Sequence, residues 1–172
     1  MRISKPVLTG GAAALCVGMA AASPPQTPAA VATALKEVAG ICTEAGGNAL
    51  TDDAVKRADL NGDGNEDYVL DVGSVNCDGA AGVYGDREKG VMVYVGDGKG
   101  GAKQALNDVV YGVKIEGTGP AAKLWLTVSG QQCGKEPAPD FASESFCDRA
   151  VVWNSKTQAF DYAPVSTVKM IE

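Results

Sequence analysis

The sequence predicts an α+β domain in which one N-terminal helix packs on an antiparallel β-sheet, and three observations lead there. One segment alone has the period of a helix. The remainder alternates short apolar runs with glycine-rich turns. No strand candidate precedes an amphipathic stretch long enough to be a parallel crossover.

The helix begins near Ala30, where Val31, Leu35, Val38 and Ile41/Cys42 fall on one face at spacings of three and four. Lys36, Glu37 and Glu44 lie off that stripe, and Gly46-Gly47 ends the helix because glycine takes the left-handed cap conformation without steric cost. Strand candidates follow at 54–58, 68–72, 91–95, 109–115, 124–128 and 150–153. The run Val91-Met92-Val93-Tyr94-Val95 is continuous, β-branched and apolar, as a central strand requires. Turn signals separate the strands at 96–101, 117–120 and 154–156, and the polar, glycine-rich stretch 78–89 predicts an exposed loop.

Arg2 and Lys5, the apolar stretch from Val7 to Ala21, and Ala20-Ala21-Ala22 have the three parts of a secretory leader. The expected division is therefore a signal peptide at 1–22, a flexible Pro-rich arm at 23–29 and one domain at 30–172, in the periplasm or outside the cell. Cys16 sits inside the apolar core behind Ala13-Ala14-Leu15, a poor lipidation site, and is removed with the leader. No segment approaches the roughly 20 strongly apolar residues of a membrane span, so no membrane insertion is expected. Losing Arg2 and Lys5 takes the formal charge from −6 to −8. Such a chain repels phosphate backbones, which argues against nucleic acid as a partner. A monomer is expected.

Cys42, Cys77, Cys133 and Cys147 remain, and an even count in an exported chain reads as two disulfides. Three connectivities are possible. The segment between Cys133 and Cys147, with Gly134, Pro137 and Pro139, reads as a loop between strands and favours that pair; Cys42–Cys77 follows by elimination and ties the helix to the sheet. Zinc is a poor alternative, because the chain has no Cys-x-x-Cys pair and no histidine.

One motif carries chemistry: Asp59-Leu60-Asn61-Gly62-Asp63-Gly64-Asn65-Glu66-Asp67. Side chains at positions one, three and five of a tight loop converge, and glycine permits the turn. Calcium, a hard cation, takes six to eight oxygens. Asp59, Asn61 and Asp63 supply side-chain oxygens, the Asn65 carbonyl a backbone oxygen, and Asp67 a further carboxylate. Three aspartates within nine residues repel one another unless a cation lies among them. An EF-hand is ruled out twice: its bidentate acid position is Leu70, and the segment that follows is a strand. The run Asp-Leu-Asn-Gly-Asp-Gly-x-x-Asp-Tyr resembles the calcium loop of FG-GAP (integrin α-type) and VCBS repeats, and 93–101 resembles the strand and turn that follow it there. The resemblance covers 55–101 and implies a single calcium-clamped hairpin. One copy cannot build a propeller, which needs at least about four blades. The layout is also similar to small exported bacterial proteins of unassigned function that share the loop, the later cysteines and a terminal Trp-Asn strand.

The absence of histidine removes the usual Ser-His and Cys-His nucleophile pairs, Ser129-Gly130 lacks the nucleophile-elbow pattern, and the glycines at 96–101 have no helix after them to cradle a phosphate. No catalytic residue is assigned. The expected function is a calcium-binding, disulfide-stabilised interaction module of the cell envelope, with a protein or glycan partner meeting loop 78–89 or 131–146. The alternative is a small carboxylate-dependent hydrolase of an envelope glycan, with Asp71, Asp78, Asp86 and Glu88 as the available acids. Trp125 and Trp153 lie inside apolar strand patterns and are expected to pack in the core.

Overall fold

Helix α1 (Ala29–Glu44) opens the fold in the computed structural model, which describes residues 26–171. The leader expected at 1–22, Cys16 and the first part of the arm lie outside the described residues. Pro28 precedes α1, where its fixed φ suits the turn into a helix, and its carbonyl accepts from Ala32 N–H at 3.0 Å. Val31, Ala34, Val38 and Cys42 form the buried stripe. Ile41, expected on that stripe, is instead 48% exposed, because the turn that buries Cys42 rotates its neighbour outward. Gly46, at φ 84°, turns the chain out of the helix.

Two short strands, β1 (Asn48–Leu50) and β4 (Asn76–Asp78), then pair as a separate antiparallel ribbon. The Cys42–Cys77 disulfide joins the end of α1 to this ribbon rather than to a main sheet. Gly47 passes close by: a Cβ there would meet Cys77 Sγ at 2.5 Å and Cys42 Sγ at 2.9 Å.

The single sheet expected is in fact two, both antiparallel. The first has the order β2 (Val55–Ala58), β3 (Asp67–Asp71), β5 (Lys89–Gly96), β6 (Ala102–Val110). The second runs β7 (Gly112–Glu116), β8 (Lys123–Ser129), β9 (Phe146–Asn154), β10 (Ala159–Tyr162), with β11 (Lys169–Met170) also pairing β9. The stretch 109–115, expected as one strand, is split at Tyr111, where the chain steps from one sheet to the other and Tyr111 N–H donates to Thr127 O at 2.8 Å.

The layers follow from alternation along the strands. Val69, Val91, Val93 and Val110 of the first sheet face Leu124, Leu126, Val128 and Val151 of the second. Tyr68, Leu70 and Tyr94 point the other way, beneath Val31, Ala34 and Val38 of α1. The first sheet is therefore covered on both faces, which is why the middles of β3 and β5 read as unbroken apolar runs. Tyr162 OH, on β10, donates to Asp108 Oδ2 on β6 at 2.8 Å and holds one edge of the two sheets together. Burial and the Asp108 carboxylate push that phenol well above its usual range.

The Cys133–Cys147 disulfide is formed as the loop between β8 and β9 suggested. Trp153 packs against the core on Phe160, with ring centroids 5.2 Å apart. Trp125 does not enter that core: it alternates with buried Leu124 and Leu126, and the Lys169 ammonium covers its ring at 3.7 Å.

Candidate metal centre

Ala58 and Asp67 are paired across β2 and β3, so the intervening loop is a closed hairpin connection. Its polar side chains fold back on its own backbone. Asp59 accepts from Gly62 N–H (2.7 Å, Oδ1) and from Gly64 N–H (3.1 Å, Oδ2). Asn61 Oδ1 accepts from Asp63 N–H at 2.9 Å, and Asp63 Oδ1 from Asn65 N–H at 2.8 Å. The Asn61 amide also donates to Asp63 Oδ2 at 3.1 Å. These are Asx turns in series, the reason Asp and Asn occupy alternate positions. Gly62 and Gly64, at φ 79° and 85°, supply the left-handed steps between them. The Asn65 N–H holds the Asp63 carboxyl below the usual carboxylate range, helped by the side chains of Asn61 and Asn65.

Asp67 has a different position. It is fully buried, and its carboxylate caps three backbone donors: Leu60 N–H at 2.8 Å and Asn61 N–H at 3.2 Å on Oδ2, and Gly96 N–H at 3.1 Å on Oδ1. Burial pushes this carboxyl up, while the N–H groups pull it down. Asp67 therefore joins the loop to the end of β5. The contact continues outward: Gly96 lies against the Glu66 carbonyl and Gly98 against Asn65 Oδ1.

The stretch 96–101, expected as a hairpin turn, also forms the second wall of this region. Asp97 Oδ1 accepts from Lys99 N–H at 2.7 Å and Gly101 N–H at 2.9 Å, and those donors hold its carboxyl below the usual range. The same alternation of Asp and Gly that marks the first loop marks the second. A Cβ at Gly96 would collide with the Glu66 carbonyl. Gly96→Ala is expected to lose about 1–3 kcal/mol by overpacking, roughly 3–10 °C in unfolding midpoint. Gly40→Ala, with open space around it in the helix, is the control that calorimetry should find unchanged or slightly stabilised.

The loop's donor set fits a hard divalent cation. Asp59, Asp63 and Asp67 offer carboxylate oxygens and Asn61 an amide oxygen, with no nitrogen or sulfur ligand among them. Among the described residues the ion pairs are Lys56–Asp71, Arg57–Glu66 and the two of Glu116 with Lys114 and Lys169. None reaches Asp59, Asp63 or Asp67. Among the described residues, too, no three His, Cys, Asp or Glu side chains are gathered as a metal cluster, and Asp67 faces backbone N–H groups.

The acids available for a hydrolase are placed differently. Asp71 accepts from Lys56 Nζ at 2.7 Å, Ser74 Oγ at 2.7 Å and Gly73 N–H at 3.0 Å. Lys56 Nζ also donates to Ser74 Oγ at 2.9 Å, so it lies between the serine and the carboxylate. The network instead fastens β2 to the turn after β3. Asp78, Asp86 and Glu88 are exposed. The two loops at 78–89 and 131–146 meet: the Arg87 guanidinium lies 3.8 Å from the Phe141 ring, which packs on Tyr111 and Phe146. No family model, curated protein or solved structure matches this chain.

Proposed function

We propose that this chain is an exported, calcium-binding, disulfide-stabilised interaction module of the cell envelope, recognising a protein or glycan rather than transforming one. The observation that carries the calcium reading is the loop itself: three aspartates, Asp59, Asp63 and Asp67, within nine residues, two of them set in Asx turns and none reached by an ion pair among the described residues. Asp59, Asn61 and Asp63, with the Asn65 carbonyl and Asp67, are the residues that would hold the ion. The ion's contribution is charge: it offsets the mutual repulsion of these acids and fixes the hairpin between β2 and β3.

Two disulfides suit an oxidising compartment, in keeping with the leader at 1–22. No helix among the described residues is long and apolar enough to cross a membrane. Calorimetric titration of chelator-treated protein from Ser23 onward should give one calcium per chain, and Asp59→Ala/Asp63→Ala should abolish the heat. A flat wild-type titration removes calcium from the account.

A further inference from the structure

Beside the calcium loop lies an open groove of about 400 Å³, within the range of about 300–1,000 Å³ usual for small-molecule sites. Three separate stretches of chain make it: the loop after β2, the β5–β6 hairpin and the β9–β10 hairpin. Val95, Ala105 and Trp153 supply its apolar lining. Its rim is polar and mixed in sign, with Asp63 on one wall, Asp97 and Lys103 on another and Gln158 at the β9–β10 turn.

We propose that this groove binds a neutral hexose- or N-acetylhexosamine-based oligosaccharide, one ring stacked on the indole of Trp153 and its hydroxyls held by Asp97, Lys103 and Gln158. This deepens the interaction-module reading and rests on it for the choice of recognition over catalysis. A pyranose has an apolar face of C–H bonds and an edge of hydroxyls that both donate and accept. A groove lined by an indole together with acceptors and donors is complementary to both. A strongly charged ligand is a poorer match, because carboxylates and an ammonium share the rim.

Preorganisation supports the assignment. Asp97 is fixed through Oδ1 by the N–H groups of Lys99 and Gly101, which leaves Oδ2 as the acceptor for a ligand hydroxyl. Gln158 is held at φ 55°, the one non-glycine with positive φ among the described residues, at a turn where glycine would sit without strain.

The chain has two tryptophans, so Trp125→Phe leaves Trp153 as sole reporter. The test titrates that oxidised variant, in millimolar calcium, with neutral gluco-, manno- and N-acetylglucosamine di- to hexasaccharides. A saturable change in Trp153 emission is expected with at least one series, and no reducing ends released. Because Trp153 also packs on Phe160, localisation rests on Lys103→Ala/Gln158→Ala, which alters only exposed rim residues. That pair should weaken binding about tenfold or more, the loss expected for one charge-assisted and one neutral hydrogen bond. No saturable change with any series overturns the proposal, and so does binding that the rim pair leaves untouched. A sugar response in protein that takes up no calcium upholds the groove while the ion reading falls. Calcium uptake without any sugar response does the reverse.

Discussion

Asp67→Ala in calcium-free buffer lowers the free energy of unfolding by about 3–5 kcal/mol, measured as a shift in urea midpoint at unchanged slope. The estimate follows from what the carboxylate does. It is fully buried and satisfies the N–H groups of Leu60, Asn61 and Gly96, and alanine leaves all three without an acceptor. An unpaired buried N–H costs about 1–3 kcal/mol, and those of Leu60 and Asn61 recover part of that from water because the loop lies at the surface. Asp67→Asn should lose about half as much, since one oxygen remains to accept while the new NH₂ faces a backbone donor. Chelator keeps the measurement free of any calcium contribution.

Removing the Cys42–Cys77 disulfide as Cys42→Ala/Cys77→Ala should cost about 4 kcal/mol, against about 3 for Cys133→Ala/Cys147→Ala, on the chain-entropy relation. The difference comes from the separations, 35 residues against 14. All four cysteines are buried, so lost packing adds to both values. Against a total of about 5–15 kcal/mol for an ordinary domain, either loss is large. Denaturant unfolding of the two double variants tests the order. Amide exchange adds a second readout: without Cys42–Cys77, the end of α1 and the β1–β4 ribbon should exchange first, because among the described residues the ribbon pairs with no other strand.

Much of the fold was legible in the sequence because it rests on period. Val31, Val38 and Cys42 marked the face of α1, and the run from Val91 to Val95 marked the central strand whose two faces are both covered. The arrangement into two sheets was not legible. Period says which residues share a face, but not whether that face meets a helix or a second sheet. Strand β6 escaped notice for a related reason. It lies at the edge of the first sheet, and Lys103, Gln104, Asn107 and Asp108 give it the polar composition of a loop. The spacing of Asp59, Asn61 and Asp63 was legible because Asx turns need those residues at alternate positions. The use of Asp67 to cap Gly96 was not, since that donor lies 29 residues further along the chain. The groove over Trp153 joins segments from Asn61 to Gln158, and no local pattern announces it.

Thermal unfolding of the oxidised protein from Ser23 onward, in millimolar calcium and then in chelator, tests the central claim most directly. A site filled to about 100 times its dissociation constant adds about 2.7 kcal/mol, roughly 5–10 °C in a chain of this size. The account predicts a rise of that order in the wild type and none in Asp63→Ala. Equal midpoints with and without calcium in the wild type would contradict it, and would reduce the loop at 59–67 to an Asp/Asn/Gly turn.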